Sequence, residues 1–428
     1  MPQLALIALA ILAYALTTVR LDRLSISGPI VLVTVGALLG PAGVGAVAAP
    51  ATSEPFRVLA ELTLALLLFT DASTIGLREA GGIAWLPTRL LAFGLPLTIA
   101  GGALVGWLLF PALGVGFALL LGSILAPTDA ALSLPVLLDR AIPVRIRRVI
   151  NIESGLNDGI ATPFVTLSLA IAVAEETAGI QDWLIVAGEE IVVAIVVAIV
   201  VGGLGGRLSI EARRGGWASQ GSESLAVVAL AIFAYAGATA IGGNGFVAAF
   251  GAGIAFRTAT GFSEPSVEFA ESIGLAASYL VWLLFGVALA GPVIAAGFDA
   301  AVVGYALLSL TIVRMVPVAV ALVGARLRPD TVALIGWFGP RGLASVVFLL
   351  VAVDDLGPAH PATDALVRVV TWTVLLSVFL HGLSAGPVGA WYGRRIAQAA
   401  AGDWELGGAA EPRISRRHSL ARRPSEGD

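Results

Sequence analysis

Residues 151–163 read "NIESGLNDGIATP". They place two carboxylic acids and an amide in a chain that is apolar on both sides. "RVI" precedes them and "FVTLSLAIAVA" follows, an apolar run long enough to finish a membrane crossing. A helix headed into lipid therefore carries Glu153, Asn157 and Asp158 near its centre. An ionisable side chain at that depth costs at least ~2.5 kcal/mol on insertion scales, so each one needs a reason.

The rest of the chain fits that setting. Of 428 residues, 58% are hydrophobic and only 13% are charged, about half the charged share of soluble domains. Mean hydropathy is +0.94, and apolar runs of about twenty residues recur from end to end, the mark of a polytopic all-α membrane protein. The 51 glycines suit membrane helices. There is no cysteine, which excludes disulfides, thiol catalysis and Cys-ligated metal. His360, His381 and His418 are scattered without metal-ligand spacing. No cofactor, enzymatic activity or nucleic-acid partner is expected.

Thirteen apolar segments are predicted, at roughly 3–19, 28–48, 58–76, 87–110, 115–138, 149–174, 183–206, 223–242, 245–257, 272–291, 297–324, 331–353 and 365–390. The connections after odd-numbered segments carry the arginines: Arg20 and Arg23; Arg78; Arg140, Arg145, Arg147 and Arg148; Arg207, Arg213 and Arg214; Arg257; Arg326 and Arg328; Arg394 and Arg395. The others are short, neutral or acidic, such as "PALG", "EETAGIQD" and "DDLGPAHPATD", with Arg57 the exception. The positive-inside rule then puts the N-terminus outside the cell and the C-terminus in the cytoplasm. The first segment lacks a positive leading region, so it reads as a span and not as a signal peptide. Residues 396–428 form a basic tail ending "EPRISRRHSLARRPSEGD", which is expected to stay disordered. Its arginines suit anionic lipid, and "RRHS" and "RRPS" resemble basic phosphorylation contexts.

The intramembrane charges are Glu61 and Asp71 in segment 3, Asp129 in segment 5, Glu153 and Asp158 in segment 6, Arg314 in segment 11 and Arg341 in segment 12. On a helix, Ser154, Asn157 and Asp158 stand at i, i+3 and i+4 and share one face. A hydroxyl, an amide oxygen and a carboxylate there are hard ligands, suited to an alkali cation or a proton. Polar glue between helices is the alternative, but glue ordinarily uses Ser, Thr or Asn. Segment 5, "GSILAPTDAALSLPVLL", is disturbed by Pro127 and Pro135 around Thr128 and Asp129. Segment 12, "LIGWFGPRGLASVVFLL", is interrupted by Gly339, Pro340 and Gly342 around Arg341. These two are the middles of triplets 4–6 and 11–13 and run in opposite directions. That pattern marks inverted repeats with a midplane site. Asp129 and Arg341 have the signs to neutralise positive and negative helix ends where the two broken helices cross.

"APTDAALS" (126–133), "NIESGLNDG" (151–159) and "GPRGLAS" (339–345), in that order, resemble the NhaP-type bacterial sodium/proton antiporters of the monovalent cation:proton antiporter superfamily. The likeness covers most of 1–395, including "ELTLALLLFTDAS" (61–73). Ala130 departs from it, since the family has proline after Thr-Asp. The resemblance implies thirteen helices, with a core bundle at about 87–174 and 297–390 around crossed, partly unwound helices 5 and 12. It implies an interface bundle at about 1–76 and 183–291, a homodimer in the inner (plasma) membrane, and elevator-like movement of core against interface. It makes Asp158 the group that binds cation or proton, with Asn157, Ser154 and the Thr128 backbone around the Na+ and Asp129 beside it. Glu153 would be paired with Arg314, and Arg341 would steady the unwound helix. Asp71 matches an acid that approaches the ion from segment 3, with Glu61 the alternative.

Cation and proton then compete for one carboxylate, and the empty charged site crosses reluctantly. Asp129, Glu153 and Asp158 against Arg314 and Arg341 leave one net negative charge. One Na+ (or Li+) or one H+ neutralises it, so electroneutral one-for-one exchange is expected. K+/H+ exchange remains open. An intramembrane aspartyl protease built on Asp129 and Asp158 is a remote alternative, which needs the two to share a proton at close range. A passive channel is another, although channels favour rings of groups.

Overall fold

The computed structural model describes residues 2–23, 26–51, 53–74, 83–177, 180–261, 264–398 and 405. Among them every regular element is a helix. α1 (Pro2–Arg23), α2 (Gly28–Leu39) and α3 (Glu54–Thr74) come first. α4 (Trp85–Arg89) and α5 (Leu95–Leu109) form one rod through a wide π-type turn, Leu90–Gly94. α6 (Gly114–Ile124) and α7 (Leu134–Leu138) are separated by irregular backbone. α8 (Val144–Thr177), α9 (Ile180–Arg214), α10 (Gln220–Ala240) and α11 (Gly245–Thr260) follow. α12 (Glu264–Phe285) meets α13 (Gly291–Ala295) through a second π-type turn. α14 (Ala300–Leu310), α15 (Ile312–Ala321), α16 (Pro329–Trp337), α17 (Leu343–Leu356) and α18 (Pro361–Ile396) complete the chain.

Each of the thirteen expected segments contains helix. Eight helical runs among the described residues are long and apolar enough to cross a membrane, and Gly28–Leu39 and Pro111–Ile124 are shorter apolar helices. The halves of segments 5 and 12 fall short of a crossing because each is interrupted, at 125–133 and 338–342. Both π-type turns lie just before a proline, Pro96 and Pro292. Proline supplies no N–H to close an ordinary turn.

Short polar residues start several helices. Asn244 accepts from the Val247 N–H at 3.0 Å, and Asp299 from those of Ala301 and Val302 at 2.8 and 3.2 Å. Each satisfies amide groups that a first turn leaves open. α5, α6 and α8 pack side by side, and α14 lies on α18; α11 packs on α9 and α3, and α12 on α3 and α2.

Arg57, the arginine out of place by the positive-inside rule, has partners. Its Nη1 lies 2.6 Å from the Asp354 carboxylate on α17 and 3.7 Å from Glu61 on its own helix. At the arginine-rich end, Glu405 is fully buried. It accepts from the Arg328 N–H and the Thr331 hydroxyl, both at 2.7 Å, and so caps α16; the same hydroxyl lies 2.8 Å from that of Tyr392 on α18. Two bonds from Arg328 at 3.1 Å hold the nearby Asp330 carboxyl below its usual range. A free tail did not anticipate Glu405. Residues 399–404 and 406–428, with the two basic serine contexts, lie outside the described residues, as does Arg78.

Candidate ion site

The two interrupted segments cross at their breaks. The Asp129 N–H donates to the Pro340 carbonyl at 2.8 Å, joining one irregular strand to the other. Each break then caps the other. α6 ends with open carbonyls, a partial negative charge. The Ser345 hydroxyl of α17 donates to the last of them, Ile124, at 2.7 Å, and Arg341 Nη1 donates to the carbonyls of Ala126 and Pro127, just past the helix end, at 2.8 and 3.4 Å. α17 begins with open amides, a partial positive charge. Asp129 Oδ2 accepts from the Leu343 N–H at 3.1 Å, while Oδ1 accepts from that of Ala131 at 2.7 Å. Both oxygens of Asp129 are therefore engaged by backbone, although the sequence grouped it with the ion-binding residues. The geometry places it as a helix cap.

Close approach at this crossing requires glycine. A Cβ on Gly342 would overlap the Asp129 carboxylate, and one on Gly339 would overlap the Arg314 guanidinium. Gly342→Ala is therefore expected to cost about 1–3 kcal/mol, the range for overpacking a filled site. Thermal melting of the purified protein in detergent measures this; a melting curve unchanged from wild type would reject the capping geometry.

α8 supplies the seam. Thr128, held by the irregular stretch before α7, reaches it from the side. Its hydroxyl accepts from Asn157 Nδ2 at 2.5 Å, lies 3.2 Å from the Ser154 hydroxyl and is 3.5 Å from Glu153. Glu153 and Arg314 are each 1% exposed, and Arg314 donates to both carboxylate oxygens at 2.9 and 3.0 Å. Such a bidentate, buried pair cancels two charges that neither side chain could carry alone at this depth.

With its amide nitrogen given to Thr128, Asn157 presents a fully buried Oδ1 that has no hydrogen-bond donor. Buried acceptors are rarely left so. Asp158 follows on the same face and is partly exposed. The Thr162 hydroxyl donates to the Asp158 backbone carbonyl at 2.9 Å. Pro163, inside α8, brings no N–H for the Gly159 carbonyl one turn back. The quoted stretch contained that proline, and the sequence reading passed over it.

Three further placements matter. Asp71 lies in the last turn of α3, partly buried, where its carbonyl accepts from Thr74. Glu61 sits ten residues earlier and is engaged by the Tyr235 hydroxyl at 2.9 Å as well as by Arg57. Segment 11 is broken at Thr311, between α14 and α15, which sequence reasoning missed. The Ser309 carbonyl just before the break accepts from Arg341 at 3.5 Å, and the next turn carries Arg314.

Comparison with known proteins accords with this architecture. The model of the transmembrane sodium/hydrogen exchanger family matches residues 7–391. A K(+)/H(+) antiporter NhaP from Alkalimonas amylolytica is 28% identical over 86% of this chain and 63% of its own length. Na(+)/H(+) antiporter 2 from Zygosaccharomyces rouxii is 28% identical over 67% of this chain and 39% of its own. The chain thus spans less than two thirds of either relative. The solved structure of the sodium proton antiporter MjNhaP1 from Methanocaldococcus jannaschii superimposes with a TM-score of 0.73, at 19% identity, over 91% of this chain and 98% of that one. With the family match running from within the first helix into the last, the chain belongs to the sodium/hydrogen exchanger family.

Proposed function

We propose that the protein is a secondary antiporter that exchanges a monovalent cation, Na+ or Li+, for H+, with Asp158 as the group both ions occupy. The observation that carries this reading is the ligand set at the α8 seam. Asn157 Oδ1 is buried and has no donor, and the partly exposed Asp158 adjoins it. The remaining charges of the crossing have fixed work: Glu153 with Arg314, Asp129 on amides, Arg341 on carbonyls. A bound cation or proton brings one positive charge to the Asp158 carboxylate. Asn157 Oδ1, the Ser154 hydroxyl and the Asp158 carboxylate are hard oxygens of the kind alkali cations take.

One elementary charge per cycle in each direction makes the exchange electroneutral. The bare carboxylate, costly to carry through a low-dielectric barrier, stays behind unless loaded. Movement of a core bundle against an interface bundle, within a homodimer of the plasma membrane with a cytoplasmic C-terminus, completes the proposal. A protease dyad is disfavoured because Asp129 has both oxygens on backbone N–H groups. K+ transport is the second reading, favoured by the K(+)/H(+) antiporter that matches most of this chain.

Reconstituted vesicles enclosing a pH-sensitive dye and pulsed with Na+, Li+, K+ or choline test the proposal. Proton efflux is expected with Na+ and Li+ and not with choline. The half-saturating Na+ concentration should rise as pH falls, because protons compete for the same carboxylate. A rate that responds to a clamped membrane potential would reject the one-for-one count, and silence with every cation would reject antiport.

A further inference from the structure

His381, fully buried on α18, has no part in the ion chemistry. Its ring is nonetheless held from two sides. The ring of Trp337, the last residue of α16, lies 4.9 Å away between centroids, and the Trp337 Nε1–H donates to the Ser384 hydroxyl at 2.9 Å. His381 Nδ1 lies 3.2 Å from the Ser377 hydroxyl one turn back and 3.1 Å from the Ser377 carbonyl oxygen. Either tautomer bonds there. Nδ1 accepts from the hydroxyl when Nε2 carries the hydrogen, and donates to the Ser377 oxygens when Nδ1 carries it.

The same Ser377 hydroxyl accepts from the Arg341 N–H at 2.6 Å. That N–H and the Pro340 carbonyl belong to one planar peptide unit. The Pro340 carbonyl accepts from the Asp129 N–H at 2.8 Å. The Asp129 N–H and the Thr128 carbonyl again share one planar unit. A hydroxyl and two peptides thus run in series from the His381 imidazole to the Thr128 backbone. Each peptide is rigid, so a bond at its N–H constrains where its carbonyl lies.

We propose that His381 is a positioning residue for the cation: through Ser377 and the Pro340–Arg341 peptide it aims the Thr128 carbonyl, which the family resemblance sets beside Na+. The inference rests on the antiport reading and on that carbonyl as a ligand. Outer groups that orient a metal's ligands govern its affinity without touching it. A proton on Asp158 makes no use of the Thr128 carbonyl, so the device acts on the cation and not on its competitor.

Two measurements on the full-length protein test this. In detergent, deuterium uptake by residues 338–345 reads the clamp without any transport. His381→Leu fills buried space but offers Ser377 nothing, and should take up deuterium faster there. His381→Asn, whose amide stands near the place of Nδ1, should match wild type. In vesicles, the half-saturating Na+ concentration is followed against pH. Its value extrapolated to high pH reports the cation's affinity, and its fractional rise with proton concentration reports the proton's. His381→Leu should raise the first about two- to tenfold, the worth of one hydrogen bond, and leave the second unchanged. His381→Asn should restore the wild-type value. In a Ser377→Ala background, His381→Leu should have no further effect, because it acts through that hydroxyl. A residue that only filled the core would change the amount of folded protein, and so the maximal rate, without moving the extrapolated value. Equal deuterium uptake in wild type and the Leu variant, a Leu effect that Asn does not restore, or an equal shift of both affinities overturns the proposal. If the Leu variant does not fold, His381→Gln, whose amide stands near the place of Nε2 instead, decides by the same measurements. Wild-type vesicles silent with every cation would reject antiport, whereas deuterium uptake at 338–345 decides the clamp independently.

Discussion

Asp158→Asn should reduce cation-driven proton movement to the level of protein-free vesicles while leaving the fold intact. Asparagine occupies the same volume and keeps one oxygen, so helix packing is retained. It cannot take up or release a proton, and it carries no charge to hold a cation. With Asn at 158, the crossing is neutral when empty, because the acids Asp129 and Glu153 balance Arg314 and Arg341. Neither ion then finds a carboxylate to neutralise. Proton flux in vesicles and melting in detergent are the paired measurements. Exchange at the wild-type rate would move the site elsewhere; loss of exchange together with loss of folding would call for Asp158→Ser as the folded control.

Arg314→Ala should destabilise the protein by about 3–5 kcal/mol, because it strands a charged Glu153 that is 1% exposed. The same principle predicts the rescue. Glu153→Leu combined with Arg314→Met removes both charges and keeps apolar volume, and should recover most of the lost stability. Neither variant removes Asp158, so the double variant should also retain measurable exchange. Thermal melting and the yield of monodisperse protein read the first effect, and vesicle flux reads the second. An Arg314→Ala protein that melts like wild type would mean that the bidentate pair adds nothing to the core.

The parts of the site that a sequence displays are those that depend on short-range spacing. Ser154, Asn157 and Asp158 share a face because of helical period, and Pro127 and the Gly-Pro-Arg-Gly run break their segments by backbone sterics alone. What was illegible depends on which segment lies beside which. The partner of Arg57 is 297 residues away on α17, and Glu405 finds its place only once α16 and α18 are side by side. The double use of the Asp129 oxygens required knowing that the crossing sets them against Leu343. The break at Thr311 is of a different kind: "LSLTIVRMV" has the apolar pattern of an uninterrupted helix, and the interruption shows only in the folded backbone, where Thr311 leaves helical geometry at φ −113° and ψ −92°.

The reciprocal caps at the crossing have a mechanical consequence. An unwound segment in a membrane is tolerable only where its peptide groups are satisfied by something other than lipid. Here the main satisfiers, Asp129, Arg341 and the Asp129–Pro340 peptide bond pair, come from the two segments themselves. α3, α9 and α11 contribute none of these bonds. The Arg341 N–H donates to the Ser377 hydroxyl on α18 at 2.6 Å, so α18 belongs to the same polar unit as the two crossed segments. Displacing the two segments and α18 together would strand none of the backbone groups that these bonds satisfy, whereas separating α18 from them would strand the Arg341 N–H.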